Sequence, residues 1–308
     1  LEVVIALIFY RCLVWSFTPT RRACFLDESQ NTHLNDDQGE LVFLGTGTSV
    51  GVPVLGCKCE VCRGGKPKNQ RTRSSVLFRL PSGNLLVDTS PELRLQLLAQ
   101  GIDRVDAVMF THEHADHLHG MDDLRLFPFQ LGHPVPVYCA EKVETRIRRI
   151  FDYAFSDRPE THPGSVPKLE LRRITETEPF IALGQRVQPI PLRHGVKFDV
   201  LGFRIGSLAY CTDMTEVYES GLPHLQGLDV LIVGALRATP HPTHLSVDGA
   251  IELVRKLKPK RAYLTHTSHE LDYDFTNDYL PPNIRMAYDG LRIPFSLWPA
   301  NSSDSIAP

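Results

Sequence analysis

Long apolar runs, a basic excess and a disulfide framework are all missing from this 308-residue chain. The longest apolar stretch near the start covers residues 3–10, far short of the roughly 20 residues a membrane-crossing helix needs. A secretory signal fits it no better, because Glu2 stands where such a segment carries Lys or Arg. Lysine and arginine number 33 against 36 acidic residues, a net charge of -3, which excludes the broad positive field that holds a long nucleic-acid backbone. An anionic partner must therefore be held locally. The seven cysteines are an odd number. Cys57, Cys59 and Cys62 crowd together while Cys12, Cys24, Cys139 and Cys211 stand alone, which is not a secreted disulfide pattern. No methionine precedes Met109. On these grounds residues 1–39 are expected to be a non-native or disordered N-terminal extension, residues 40–298 the folded domain and residues 299–308 a tail, in a cytoplasmic protein.

What is present supports a sizeable core, with 42% of residues hydrophobic and 22% charged. Residues 41–44 read as an apolar strand entering the turn Gly45-Thr46-Gly47-Thr48. Residues 75–80 and 84–88 read as a hairpin about Pro81-Ser82-Gly83, residues 92–100 as a helix stopped by Gly101, and residues 107–111 as a buried strand. Further strands are expected at 135–138, 186–189, 202–205, 208–211, 230–233 and 262–264, with an amphipathic helix over 247–257. Short strands alternating with helices suit two packed sheets with helices outside, an α/β arrangement.

The strongest chemical signal is Thr111-His112-Glu113-His114-Ala115-Asp116-His117. A loop leaving a strand end can aim His112 and His114 at one metal, and the next turn brings Asp116 and His117 toward a second. Imidazole and carboxylate suit Zn(II), with Mn(II) or Fe(II) as alternatives. Two metals need more ligands, and His194, Asp213 and His266 stand at the ends of expected strands. A separate C-x-C-x2-C run places Cys57, Cys59 and Cys62 within six residues, the spacing of a structural zinc knot, and His269 is the candidate fourth ligand. His244, just ahead of the 247–257 helix, is the candidate proton donor to a leaving group.

With its H-x-H-x-D-H cluster and later strand-end ligands, the chain resembles the metallo-β-lactamase superfamily over about residues 40–294. The resemblance implies an αββα sandwich of two mixed β-sheets flanked by helices. It also implies His112, His114 and His194 on one catalytic metal, Asp116, His117 and His266 on the other, Asp213 bridging both, and Asp88 orienting the His-bearing loop. The knot, the LGTGTSVGVP opening and Thr265-His266-Thr267-Ser268-His269 are similar to a narrower group, the cyclic phosphodiesterases of phosphonate degradation. In that group the Cys3His zinc is structural and the two-metal centre catalytic. The pyrroloquinoline-quinone accessory relatives carry a similar knot but a degenerate His cluster.

The expected activity is thus phosphodiester hydrolysis by water activated between two metals, with Asp116 and His244 as candidate catalytic residues. The substrate is expected to be a small anionic phosphodiester, with neither membrane nor nucleic acid as partner; a homodimer stays open. Rival activities on the same fold are tRNA 3′-end processing and thioester or lactam hydrolysis. A non-catalytic zinc-stabilised accessory protein is the rival from another class. The segment carrying Arg148, Arg149, Phe151, Tyr153 and Phe155 reads equally as a cleft lining or as a surface amphipathic helix.

Overall fold

The computed structural model describes residues 35–156 and 161–298. The expectations for residues 1–34 and for the tail 299–308 lie outside the described residues. In chain order the strands are β1 (Gln38–Gly45), β2 (Ser75–Leu80), β3 (Gly83–Val87), β4 (Ala107–Met109), β5 (Val135–Cys139), β6 (Leu169–Arg173), β7 (Phe180–Ala182) and β8 (Gln185–His194). They continue with β9 (Phe198–Ile205), β10 (Leu208–Cys211), β11 (Glu216–Val217), β12 (Val230–Gly234), β13 (Arg261–Thr265), β14 (Ile284–Met286) and β15 (Arg292–Ser296).

These strands form two mixed sheets. One has the order β15-β1-β2-β3-β4-β5-β6, and the other β11-β8-β9-β10-β12-β13-β14, with β7 paired to β8. In the first, β1, β2, β3 and β15 pair antiparallel while β3 to β6 pair parallel. The second changes in the same way after β10. The parallel strands read as unbroken apolar runs, such as Val230–Gly234, because both their faces are covered.

Alternation along the central strands builds two cores. Leu208 and Tyr210 of β10 and Val230 and Ile232 of β12 face the same core as Phe43, Phe78 and Val108 of the other sheet. Their neighbours Ala209, Cys211, Leu231 and Val233 face a second core with Val247, Ile251 and Val254 of the helix Val247–Leu257. That period of two is what packs one sheet face against the other sheet and the opposite face against a helix. The result is the expected sandwich of two mixed sheets flanked by helices. The helix Val247–Leu257 starts where Ser246 Oγ accepts from the Gly249 amide at 3.2 Å, satisfying an amide no intrahelical carbonyl can reach.

Candidate dinuclear metal centre and cysteine knot

The candidate ligands gather at the carboxyl ends of strands, where open α/β sheets present their sites. His112, His114, Asp116 and His117 follow β4, with Asp116 and His117 on the short helix Ala115–Leu118. His194 ends β8, Asp213 follows β10, and His266 follows β13. Asp88, Asp213 and His266 hold φ of 63°, 48° and 56°. Left-handed backbone at a residue with a β-carbon costs about 1–3 kcal/mol, and here it coincides with three residues of one site.

Four ligand atoms from His112, His114, His194 and Asp213 lie within 4.8 Å of one another, and so do four from Asp116, His117, Asp213 and His266. Asp213 belongs to both groups, lying 3.9 Å from His112 Nε2 and 3.4 Å from His117 Nε2 through the same Oδ2. Its other oxygen accepts from the Thr212 hydroxyl at 2.7 Å and lies 3.1 Å from His266 Nδ1.

The surrounding hydrogen bonds select tautomers. Asp88 Oδ1 accepts from the Thr111 amide, and its Oδ2 from the Thr111 hydroxyl and His117 Nδ1, all at 2.8 Å. His117 therefore keeps a proton on Nδ1, and Nε2 is the nitrogen that faces the site. Having donated to Asp88, the Thr111 hydroxyl accepts from His112 Nδ1 at 2.9 Å, which frees His112 Nε2. His194 Nδ1 donates to the Thr243 carbonyl at 2.7 Å. Ser74 Oγ, which donates to the Gly47 carbonyl, stands 3.1 Å from His266 Nδ1 and can accept its proton. His114 instead turns Nδ1 inward, 2.9 Å from His112 Nε2.

These residues fit a divalent cation on two observations. Asp116 Oδ2, His117 Nε2 and His266 Nε2 are buried with no hydrogen-bond partner, a state that buried polar atoms avoid unless something else satisfies them. The donor set is also of the borderline-hard kind that zinc, manganese and iron accept. Electrostatics agree. Burial opposes charge on His117, yet the carboxylates of Asp116, Asp213 and Asp88 outweigh it and hold that imidazole well above its ordinary range, so positive charge is favoured at Nε2 and a bound cation would take the place of its proton. Burial likewise opposes ionisation of Asp213, but His266 and His117 keep its carboxyl well below the usual range.

His244 packs at the rim, its ring 4.7 Å from His194 and stacked 4.9 Å from His266. Burial lowers it to about 3, so the free protein holds it as a neutral imidazole, able to donate a hydrogen bond but without the extra proton that the expected acid role would require.

The second cluster is separate. Cys57 Sγ and Cys59 Sγ each lie 3.4 Å from His269 Nδ1, and with Cys62 Sγ the four ligand atoms fall within 4.8 Å of one another. The His269 hydrogen bond lowers Cys59 to about 6, while burial raises Cys62 to about 11. His266 faces the catalytic cluster and His269 the thiols, three residues apart.

Several supporting residues were missed by sequence reasoning. Arg71 is 1% exposed and donates to Thr267 Oγ1 at 2.9 Å, Ser268 O at 3.0 Å and Asn69 Oδ1 at 2.9 Å. It ties the knot-bearing loop to the segment after His266. Ser74, Thr243 and Phe198 were missed as well; only Thr111, next to the motif, had a local signal. Of the segment offered as a cleft lining, Phe151 is buried in the core. Arg148 donates to Glu144 at 2.9 Å and lies over Phe155 at 5.0 Å, and the Tyr153 hydroxyl donates to Asp122. These contacts belong to the helix Glu141–Ile150 and its flank, not to the ligand clusters.

The family model described as Beta-lactamase superfamily domain matches residues 83–267. Among solved structures, one described as a new diphosphatase from the PhnP family superposes with a TM-score of 0.78 at 39% identity, covering 84% of this chain and 98% of its own. Zinc-bound PqqB from Methylobacterium extorquens shares the fold, with a TM-score of 0.68 at 20% identity over 82% of this chain and 99% of its own. A Porphyromonas gingivalis protein named octanoyltransferase is 36% identical over 253 residues, 81% of this chain and 50% of that protein. The chain thus spans about half the length of that relative.

Proposed function

The chain is a metal-dependent hydrolase of the metallo-β-lactamase superfamily, related to the PhnP family, and from that premise we propose that it hydrolyses a small cyclic phosphate or related phosphodiester. The observation that carries the reading is the shared Asp213 carboxylate. One Oδ2 lies within 4 Å of imidazole nitrogens from both ligand groups, as a two-metal centre requires. His112, His114 and His194 would hold one metal, Asp116, His117 and His266 the other, and Asp213 both. Zn(II) is the expected ion, with Mn(II) or Fe(II) as alternatives, and a third zinc belongs in the Cys57, Cys59, Cys62, His269 knot. Divalent metal here supplies acidification of water and Lewis-acid polarisation of a phosphoryl oxygen.

The chain's own residues supply the rest. Asp88 and Thr111 keep a proton on Nδ1 of His117 and His112, so that Nε2 faces the site, and the Thr243 carbonyl does the same for His194. Asp116 Oδ2, buried and 3.2 Å from His117 Nε2, would be placed to orient a water proton. The neutral His244 N–H can donate a hydrogen bond to the leaving oxygen and offset the charge gathering there, while the proton that oxygen finally takes comes from water. A net charge of -3 favours a small substrate over a polynucleotide. The thiol-rich knot suits a reducing compartment, in keeping with a cytoplasmic protein.

The test is a hydrolysis panel on metal-loaded protein: an aryl phosphodiester, a sugar cyclic phosphate, a thioester and a lactam. Phosphodiester turnover is expected, lost in His114→Ala and Asp116→Ala without unfolding. Thioester or lactam turnover with no phosphodiester cleavage would refute the substrate class.

A further inference from the structure

His266 reaches the ligand cluster through backbone that its own β-carbon disfavours. It follows β13 with φ 56°, so contacts on either side must hold it there. Upstream, β13 lies between β12 and β14, and the Thr265 carbonyl accepts from the Ala235 amide at 2.9 Å. Downstream the strand has ended, and the chain is pinned residue by residue. The Thr267 amide donates to the Thr46 carbonyl at 3.0 Å, the Thr267 carbonyl accepts from the Thr48 amide at 3.3 Å, and the Ser268 amide donates to the Leu236 carbonyl at 2.8 Å. What those bonds leave over, the Thr267 hydroxyl and the Ser268 carbonyl, is taken by one group. Arg71 Nη1 donates to both, at 2.9 and 3.0 Å. Its Nη2 donates to the Leu271 carbonyl and to Asn69 Oδ1, and its Nε to the Lys68 carbonyl.

This guanidinium is 1% exposed, and its five acceptors are all neutral oxygens. Burial lowers Arg71 to about 10, and the carboxylates of Asp289 and Asp272 act on it only through space. A buried charge without a bonded counter-ion is costly, so charge pairing does not account for its place. Its donors do, because they lie in one rigid plane and fix the directions of five acceptors at once. Three of those acceptors belong to the residues that follow His266. We propose that Arg71 is a positioning residue for His266: its planar fork locks residues 267–271 and so keeps the His266 imidazole aimed into the group it forms with Asp116, His117 and Asp213. The inference rests on the two-metal reading of that group and adds the residue that holds its geometry. Cys57 and Cys59 grip the same segment at His269, so the effect of the fork must be read apart from that of the knot.

The experiment uses the full chain in three forms, wild type, Arg71→Lys and Thr267→Val. Lysine keeps the charge and loses the fork; valine keeps the shape of Thr267 and loses the one oxygen that Nη1 reaches there. Zn(II) affinity at the exchangeable positions is measured by competition with a chelator, beside Tm and total zinc. Wild type should hold two exchangeable ions. Arg71→Lys should weaken one of them about 10- to 100-fold, the range for outer partners of metal ligands, and leave the other ion and the knot zinc in place. Thr267→Val should weaken the same ion about tenfold. A double-mutant cycle separates positioning from general stability, because Arg71 acts on the metal through His266. Added to His266→Ala, Arg71→Lys should cause no further loss of metal affinity even though Tm still falls. Losses that add would overturn the proposal, as would equal weakening of both ions or a lower Tm with both affinities unchanged. Should Arg71→Lys fail to fold, Thr267→Val decides by the same affinities. A wild type that binds no exchangeable pair brings down the two-metal reading and the inference with it; a wild-type pair that neither variant disturbs brings down the inference alone.

Discussion

At the scale of single residues, Asp213 carries the largest share of the site. It is 2% exposed, sits in left-handed backbone and is the member common to both ligand groups. On the proposed reading its removal would take a ligand from two metals at once, so Asp213→Ala should lower kcat more than any single His→Ala change. Metal analysis and kcat measured side by side check this; two bound metals with a near-normal rate would contradict the shared role. Asp88 touches no metal position but orders two ligands through Thr111 and His117. Asp88→Ala should cost about 10- to 100-fold in metal affinity or activity, the range seen when such outer partners are lost.

Asp289, away from the metals, predicts a pH effect. It accepts from the amides and hydroxyls of Thr46 and Thr72 at 2.7–2.9 Å, yet burial still pushes it up to about 6. A carboxyl whose folded pKa exceeds its unfolded value binds its proton more tightly when folded. Its contribution is complete below about pH 4 and is lost as pH rises through about 6, an effect on the order of 3 kcal/mol. Urea midpoints of wild type and Asp289→Asn between pH 4 and 7.5 should therefore differ by a pH-dependent amount. The variant should lack the downward trend across that window; parallel curves would show that Asp289 does not titrate there.

At the scale of elements, the loop from Thr48 to Arg73 is joined to the segment after β13 at several points, Asn69 and Lys66 with Asp272 among them, and two of these joints bear on the metal sites. One is the knot, where Cys57 and Cys59 meet His269. The other is Arg71, buried among the carbonyl and hydroxyl oxygens of Thr267 and Ser268. A closed four-ligand site has no open position for water, so its loss should act on stability alone. Cys59→Ser and His269→Ala should each lower Tm and remove about one zinc equivalent while keeping the pH optimum of the remaining folded enzyme. His266→Ala should abolish turnover with little change in Tm. Matching phenotypes for the two histidine variants would refute the division of labour.

Element boundaries show where local reading reaches its end. Residues 107–111 read as one strand, but β4 stops at Met109 because the Thr111 amide turns to the Asp88 side chain instead of a neighbouring strand. Only residues 186–189 of β8 were expected, whereas the strand runs Gln185–His194 through both Pro189 and Pro191. In the fold both prolines fall between the β7 pairing, which ends at Val187, and the β11 pairing, which begins at Leu192. No ladder amide is needed on that side. β6, with the sequence Leu-Glu-Leu-Arg-Arg, gave no apolar run because it is the edge of its sheet.

At the scale of the whole molecule, the arrangement separates two candidate metal sites, a cysteine–histidine knot and a histidine–carboxylate cluster, on a chain with little net charge. Metal-loaded protein should carry about three divalent ions. A chelator should remove two and end turnover while the fold persists, and the third should leave only with thiol modification or unfolding. Metal analysis after graded chelation, followed by circular dichroism, checks the order of loss. A single tightly held metal with no exchangeable pair would favour an accessory protein over an enzyme.

What the sequence by itself determined is the chemistry that short range can encode. His112 to His117 lie within one loop and Cys57 to Cys62 within one turn, so spacing alone implies convergence. The unbroken apolar runs of β10 and β12 likewise imply strands covered on both faces. What only the tertiary structure decided is every relation between residues far apart in the chain. Ser74 meets His266, the Thr243 carbonyl meets His194, and Arg71 meets Thr267; Phe198 reaches His114 only through strand register. Such pairs leave no periodicity in the sequence, because a hydrogen bond or ring contact across 50 to 200 residues depends on how the two sheets pack and where each strand ends, and only the folded chain fixes both.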